Sequence, residues 1–201
     1  KKNFHYLPIP VDKNIEKLKI YENNNQINDV FFSMSHGVNR GKLKRDKQDE
    51  RHNFITDLIS ECPNIIFDIY GYKNREPVWA EDFYKVIVNS KMALNLTRGK
   101  PLKYLTSNRI ASLIGNGLLT FIDRRTKLDN FFNKNEVVFY SSLQDLAEKI
   151  NQFKANDKAR MKVAKNGRKK YFELFECQKV SDYIISKSFN RENSKRLKWM
   201  D

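Results

Sequence analysis

A chain of 201 residues that is 40% hydrophobic and 12% aromatic can bury a sizeable core, which excludes a disordered tail and a disulfide-stapled miniprotein. Against 24 Asp and Glu stand 38 Lys and Arg, a formal charge of +14 that points first to nucleic acid, an anionic membrane or a phosphorylated ligand. No uninterrupted apolar run is long enough to cross a bilayer, and no secretory signal is visible.

In chain order, residues 1–28 read as a linker. Each proline of Leu7-Pro8-Ile9-Pro10-Val11-Asp12 pushes its predecessor away from helix, and a polar run from Glu22 to Asn28 follows. Asp29 to Met34 is a short apolar strand. Residues 45–60 are expected to be helical, with Phe54, Ile55, Leu58 and Ile59 on one face. Ile65 to Tyr70 is a second strand, stopped by Gly71. A helix over 80–90 precedes a third strand, Met92 to Thr97. Beyond Gly99 and Pro101 a helix runs from about Ser107 to Ile114 and ends at Gly115 and Gly117. Leu118 to Ile122 is a fourth strand and Val137 to Tyr140 a fifth, followed by helices near 142–153 and 157–176.

Short apolar strands alternating with helices imply βαβ units, hence an α/β, Rossmann-like parallel sheet flanked by helices, with a basic helical tail over 187–201. Such a sheet binds ligands in the crevice outside the carboxyl ends of its strands. Two post-strand segments there are rich in anion-binding groups. In the first, Gly37 lets the backbone approach a ligand and Arg40 and Lys44 can reach its oxygens, while His36 follows the strand directly. The spacing is neither a Walker loop nor a dinucleotide glycine fingerprint. The second holds Asn95, Thr97, Arg98, Lys103, Ser107, Asn108 and Arg109. Thr106 or Ser107 is a natural helix cap, leaving N–H groups free at the crevice. Arg109 would sit on the first helical turn, where a cation opposes the helix dipole, and a bound diphosphate would explain it. Tyr70, at the end of the second strand, is a further crevice candidate. Asp68 reads as structural, and Asp123 either reaches a ligand or caps the next turn.

Catalytic serine, zinc-peptidase and paired-cysteine patterns are absent. Cys62 and Cys177 read as reduced thiols of a cytosolic protein. The basic charge is uneven: residues 154–201 carry 14 basic and 6 acidic side chains. Lys supplies 26 of the 38 cations, and part of that excess simply decorates solvated helix faces. Between 165 and 175, Lys and Arg alternate with Tyr171, Phe172 and Phe175, a pattern shared by nucleic-acid surfaces and by ordinary core helices.

From about residue 6 to 186 the order of these segments resembles the carboxy-terminal half of GT-B glycosyltransferases, of the group 1 and CgeB-like type. The resemblance is carried by Leu7 to Asp12 as interdomain linker, Ile69-Tyr70-Gly71, Tyr84 through Leu96 with Asn89-Ser90-Lys91, and Arg109 to Gly117. It continues through Phe131, Glu136 to Leu146, and Lys165-Asn166-Gly167. It implies a donor domain over 29–186 that binds a nucleotide-diphosphate sugar, needs no metal or other cofactor, and passes the sugar to a glycan or lipid-linked acceptor. Polysaccharide biosynthesis is the expected setting, in the cytoplasm or at the inner face of the membrane. The catalytic base would come from an amino-terminal half, of which this chain would be the complement. One position departs from the family: Ser112 stands where a ribose-binding Glu is usual, which leaves a non-catalytic nucleotide-binding subunit as the alternative. A basic nucleic-acid-binding module is the second alternative.

Overall fold

In the computed structural model, residues 5–35, 50–191 and 198–200 are described. Five strands form one sheet: β1 (Asn28–Ser33), β2 (Phe67–Tyr70), β3 (Ser90–Asn95), β4 (Leu119–Asp123) and β5 (Val138–Tyr140). Their order is β2-β1-β3-β4-β5 and every pairing is parallel. The helices are α1 (Glu50–Glu61), α2 (Ala80–Ile87), α3 (Asn108–Gly115), α4 (Leu143–Lys154), α5 (Asp157–Phe175) and α6 (Cys177–Ser188). The expected Rossmann-like architecture is therefore present, with strand limits displaced by one or two residues.

The near-continuous apolar strands are explained by burial on both faces. Val30, Phe32, Met92, Leu94, Phe121 and Tyr140 point into one layer with Ile55 and Leu58 of α1 and Leu146 and Ile150 of α4. Their immediate neighbours Phe31 and Ala93 face Ile87 and Leu113, while Ile122 and Phe139 face Ile110 and Ile114. Each fully buried aliphatic or aromatic side chain contributes roughly 1.5–3 kcal/mol relative to exposure, so both layers are large stabilising elements. Two charges inside this frame are paired. Asp29 accepts from Lys154 Nζ at 2.7 Å and from the Ile66 N–H at 2.9 Å, and Arg160, 2% exposed, holds Asp157 and the Lys91 carbonyl.

Residues 5–28, which the prolines mark as irregular, lie along the domain. Val11 exchanges backbone hydrogen bonds with Phe175 and Cys177, and Thr106 Oγ1 accepts from the Ile9 N–H. Ile20 and Tyr21 are buried, and Gly117 leaves the space Tyr21 occupies. Tyr6 stacks on Phe131 and meets Trp199, whose indole N–H donates to the Leu174 carbonyl at 2.7 Å. The start and the end of the described chain thus share one aromatic cluster. The helix α6 extends beyond the element expected to close at 176. Tyr171 and Phe175 are buried, and the Arg168 guanidinium lies over the Phe172 ring, so the basic and aromatic run of α5 turns its largest rings to the core.

Candidate functional site

The strand order changes direction between β1 and β3, the switch point at which a parallel sheet opens a crevice. A cleft of about 550 Å³ lies there. Ser33 and Ser35 border it at the end of β1, Trp79 and Phe83 at the start of α2, and Ser107 to Arg109 with Ser112 along α3. Ser107 is the N-cap of α3: its Oγ accepts from the Ile110 N–H at 3.3 Å. Thr106, the other candidate, turns inward to Ile9 instead. With no acidic residue in its first turn, the α3 N-terminus keeps its partial positive charge facing the cleft.

Arg109 is the central cation. Its Nη1 donates to the Leu96 carbonyl at 2.9 Å and its guanidinium lies 5.1 Å from the Phe32 ring centroid. It forms no ion pair with a carboxylate among the described residues. Loss of water on burial, reinforced by the Arg51 guanidinium, lowers its pKa to about 10. Arg109 therefore remains protonated at neutral pH in a place that favours an incoming anion. Arg51, buried on α1, donates to the Ser35 carbonyl at 3.3 Å and so braces the end of β1. The sequence alone does not single out Arg51, one of several cations in the helix expected over 45–60. Nor does it single out Trp79, an isolated aromatic after Pro77. Yet Trp79 is 54% exposed at the cleft, on a turn where Ala80 takes a positive φ of 49°.

The other expected site residues divide. Ser107, Asn108, Arg109 and Ser112 come together in this cleft. Thr97 borders a second cleft on the far side of the Leu96–Arg109 contact. Asn95 is buried at the end of β3, and Arg98 is exposed beside it. Lys103 is exposed, with its ammonium 4.7 Å from the Tyr104 ring centroid. Tyr70 packs on Phe31 and is covered by Arg75, whose guanidinium is 3.7 Å from its centroid. Arg75 also binds Asp68 at 2.6 Å, which gives Asp68 the structural role expected of it. Asp123 caps the turn after β4: its Oδ1 accepts from the Arg125 N–H at 2.8 Å, and its carboxylate pairs with that guanidinium. His36, Gly37, Arg40 and Lys44 lie outside the described residues.

Residues 47–186 match the family described as glycosyl transferase-like. The chain belongs to that family. Among solved structures it is similar to Anabaena Alr3699/HepE in complex with UDP, with a TM-score of 0.65 at 12% identity, covering 90% of this chain and 56% of that one. The HepE complex with UDP-glucose gives a TM-score of 0.61 at 13% identity, covering 89% and 52%. Sucrose-phosphate synthase from Thermosynechococcus elongatus gives 0.58 at 11% identity, covering 92% and 51%. This glycosyl transferase-like chain thus has the fold of one GT-B half and spans about half the length of those proteins. No match is found among curated protein sequences.

Proposed function

We propose that the cleft at the switch point binds the diphosphate of a nucleotide sugar, and that the chain is the donor half of an enzyme transferring the sugar to a glycan or lipid-linked acceptor. One observation carries the reading: a desolvated arginine without a carboxylate partner among the described residues stands beside the open N-terminus of α3. Relatives of known structure hold UDP and UDP-glucose, which supports the same class of ligand.

As the glycosidic bond breaks, negative charge grows on the departing diphosphate. Arg109 and the α3 N–H groups, already oriented, stabilise that charge without reorganising. The chemistry needs no resident metal for this step, since a fixed guanidinium and a helix terminus supply the positive charge. Trp79 offers an exposed ring against which a base can stack. A catalytic base from an amino-terminal half would complete the site, and polysaccharide synthesis at the inner membrane face, aided by the basic residues of 187–201, is the setting we favour. No helix among the described residues is long and apolar enough to cross a membrane; co-sedimentation with anionic but not neutral liposomes would support peripheral contact, and equal partition would remove it.

The test is a thermal-shift screen with UDP, GDP, ADP, dTDP and CMP. Stabilisation by a nucleoside diphosphate, lost in Arg109→Gln, supports the reading. No shift with any of them contradicts it. Ser112, at the position of a usual ribose-binding glutamate, favours one alternative: a subunit that binds nucleotide without turnover. Nucleotide binding together with unmeasurable donor hydrolysis, restored by Ser112→Glu, would identify that case.

A further inference from the structure

Helix α5 crosses the amino-terminal rim of the sheet, at the end of the strands opposite the switch-point cleft. Near its start the Arg160 guanidinium donates to the Lys91 carbonyl at the beginning of β3, and in its middle Gly167 lies against the Glu136 carbonyl just before β5. One face of α5 is buried through Arg160, Val163, Ala164, Gly167 and Tyr171. The face directly opposite carries Lys158, Lys162, Lys165 and Lys169, all exposed and each one helical turn from the next. They form a line about 16 Å long. None of the four makes an ion pair among the described residues. The carboxylates at the two ends of the line are engaged by other cations, Asp157 by Arg160 and Lys91 and Glu173 by Lys170.

Lysines one turn apart repel each other and weaken the helix that carries them. A solvated face needs charge, but charges of both signs would keep it soluble without that repulsion. The line is also widened on both sides. Arg168 holds the Glu16 carbonyl and so draws the segment bearing the exposed Lys17 and Lys19 along one flank, while Asn166 holds the Asn135 carbonyl beside the exposed Lys134 on the other. These are lysines, hydrated point charges on flexible stems, rather than arginines that grip one phosphate in a fixed fork. A broad face of this kind suits a plane of anionic headgroups. A single nucleic-acid strand would cover one row and call for rings to stack on, and Tyr171 and Phe175 of α5 are buried. We propose that the lysine face of α5 docks the domain on an anionic lipid surface. The proposal rests on the membrane setting favoured above and adds which surface makes the contact. With the amino-terminal rim against lipid, the carboxyl ends of the strands point to water, and a dissolved nucleotide sugar reaches the cleft unobstructed.

Co-sedimentation of the full chain tests it, with vesicles of phosphatidylcholine alone and of phosphatidylcholine carrying increasing phosphatidylglycerol. The α5 variant combines Lys158→Gln, Lys162→Gln, Lys165→Gln and Lys169→Gln. A charge-matched control combines Lys73→Gln, Lys85→Gln, Lys100→Gln and Lys127→Gln, all at exposed positions elsewhere. Wild type is expected to adsorb as the anionic lipid increases and to be released by salt. The α5 variant should bind about tenfold or more weakly, and the control within about threefold of wild type. Relief of like-charge repulsion should let the α5 variant melt at the same or a higher temperature. If it melts lower, Lys162→Gln with Lys165→Gln reads the same comparison against Lys73→Gln with Lys127→Gln. Equal losses in variant and control overturn the proposal and leave the membrane setting in place. No adsorption by wild type overturns both, and a DNA duplex bound in its stead assigns the face to a polyanionic chain. Nucleoside diphosphates should bind the α5 variant within about twofold of wild type, since the cleft lies at the other end of the strands.

Discussion

Arg109 shows how one side chain can be costly to the fold and useful to the site. A guanidinium withdrawn from water beside a second guanidinium is destabilised as a cation, and the hydrogen bond to Leu96 offsets only part of that cost. Arg109→Leu is expected to change the apo melting temperature by no more than a few degrees, because loss of the hydrogen bond and relief of desolvation oppose each other. A collapse of the far-UV signal in that variant would make Arg109 structural. Glu16 carries a related cost at the opposite end of α3. It is buried against Gly115, and burial raises its pKa above the usual 4.5 although the Asp12 N–H donates to it. For an acid with a raised folded pKa, the unfolded chain binds fewer protons across that window, so stability falls as pH rises through it. Glu16→Gln should therefore lessen the fall in stability as pH rises above the usual 4.5, read from chemical melts at several pH values. An equal loss in both proteins would show that Glu16 is not its source. Arg109 was legible in the sequence because a cation on a first helical turn is unfavourable unless something anionic meets it. Trp79 was not, since an isolated aromatic after Pro77 carries no periodic signal, and only the cleft it borders shows its place.

At the scale of elements, α5 ties the layers together, and its closest approach is at Gly167. A Cβ there would stand 2.2 Å from the Glu136 carbonyl oxygen, which is backbone and cannot swing aside. Gly167→Ala should cost about 1–3 kcal/mol, the scale of a core overpacking, measured by urea denaturation. A cost below 0.5 kcal/mol would mean that α5 can slide. The strands and the helices α1 to α5 were legible because each carries an uninterrupted apolar run or a clear amphipathic face. The segment 5–28 and helix α6 were harder for a shared reason. Val11, Ile20 and Tyr21 are buried one at a time by contacts more than 90 residues away in sequence, so no local period marks them. Trp199 is likewise anchored by Tyr6, Phe175 and Tyr183 rather than by neighbours in the chain. Trp199→Ala should loosen both ends of this cluster at once and cost about 3–5 kcal/mol. Hydrogen exchange that rises near 199 alone, leaving residues 6–11 protected, would contradict that coupling.

For the whole molecule, the net charge is spread over sites with different work. Lys154 neutralises the buried Asp29 and the buried Arg160 pairs with Asp157 at the surface, Arg168 stacks on Phe172 and holds the Glu16 carbonyl, and Arg51 and Arg109 border the strand ends. A basic chain of this kind would be mistaken for a nucleic-acid binder on charge alone, but along α5 Tyr171 and Phe175 are buried and Phe172 is half-buried beneath Arg168. Trp79 is the exposed tryptophan and Trp199 the buried one, so their emission is separable. Binding of a nucleoside diphosphate should quench the Trp79 component, and the quench should vanish in Trp79→Phe. A quench that persists there would place the base elsewhere. The central claim, that the switch-point cleft is a diphosphate site built on Arg109 and the α3 N-terminus, is met most directly by calorimetric titration of nucleoside diphosphates into wild type and Arg109→Gln side by side. Saturable binding by wild type with a loss of at least tenfold in the variant is the predicted result. Equal affinity in the two proteins, or no heat in either, would contradict it.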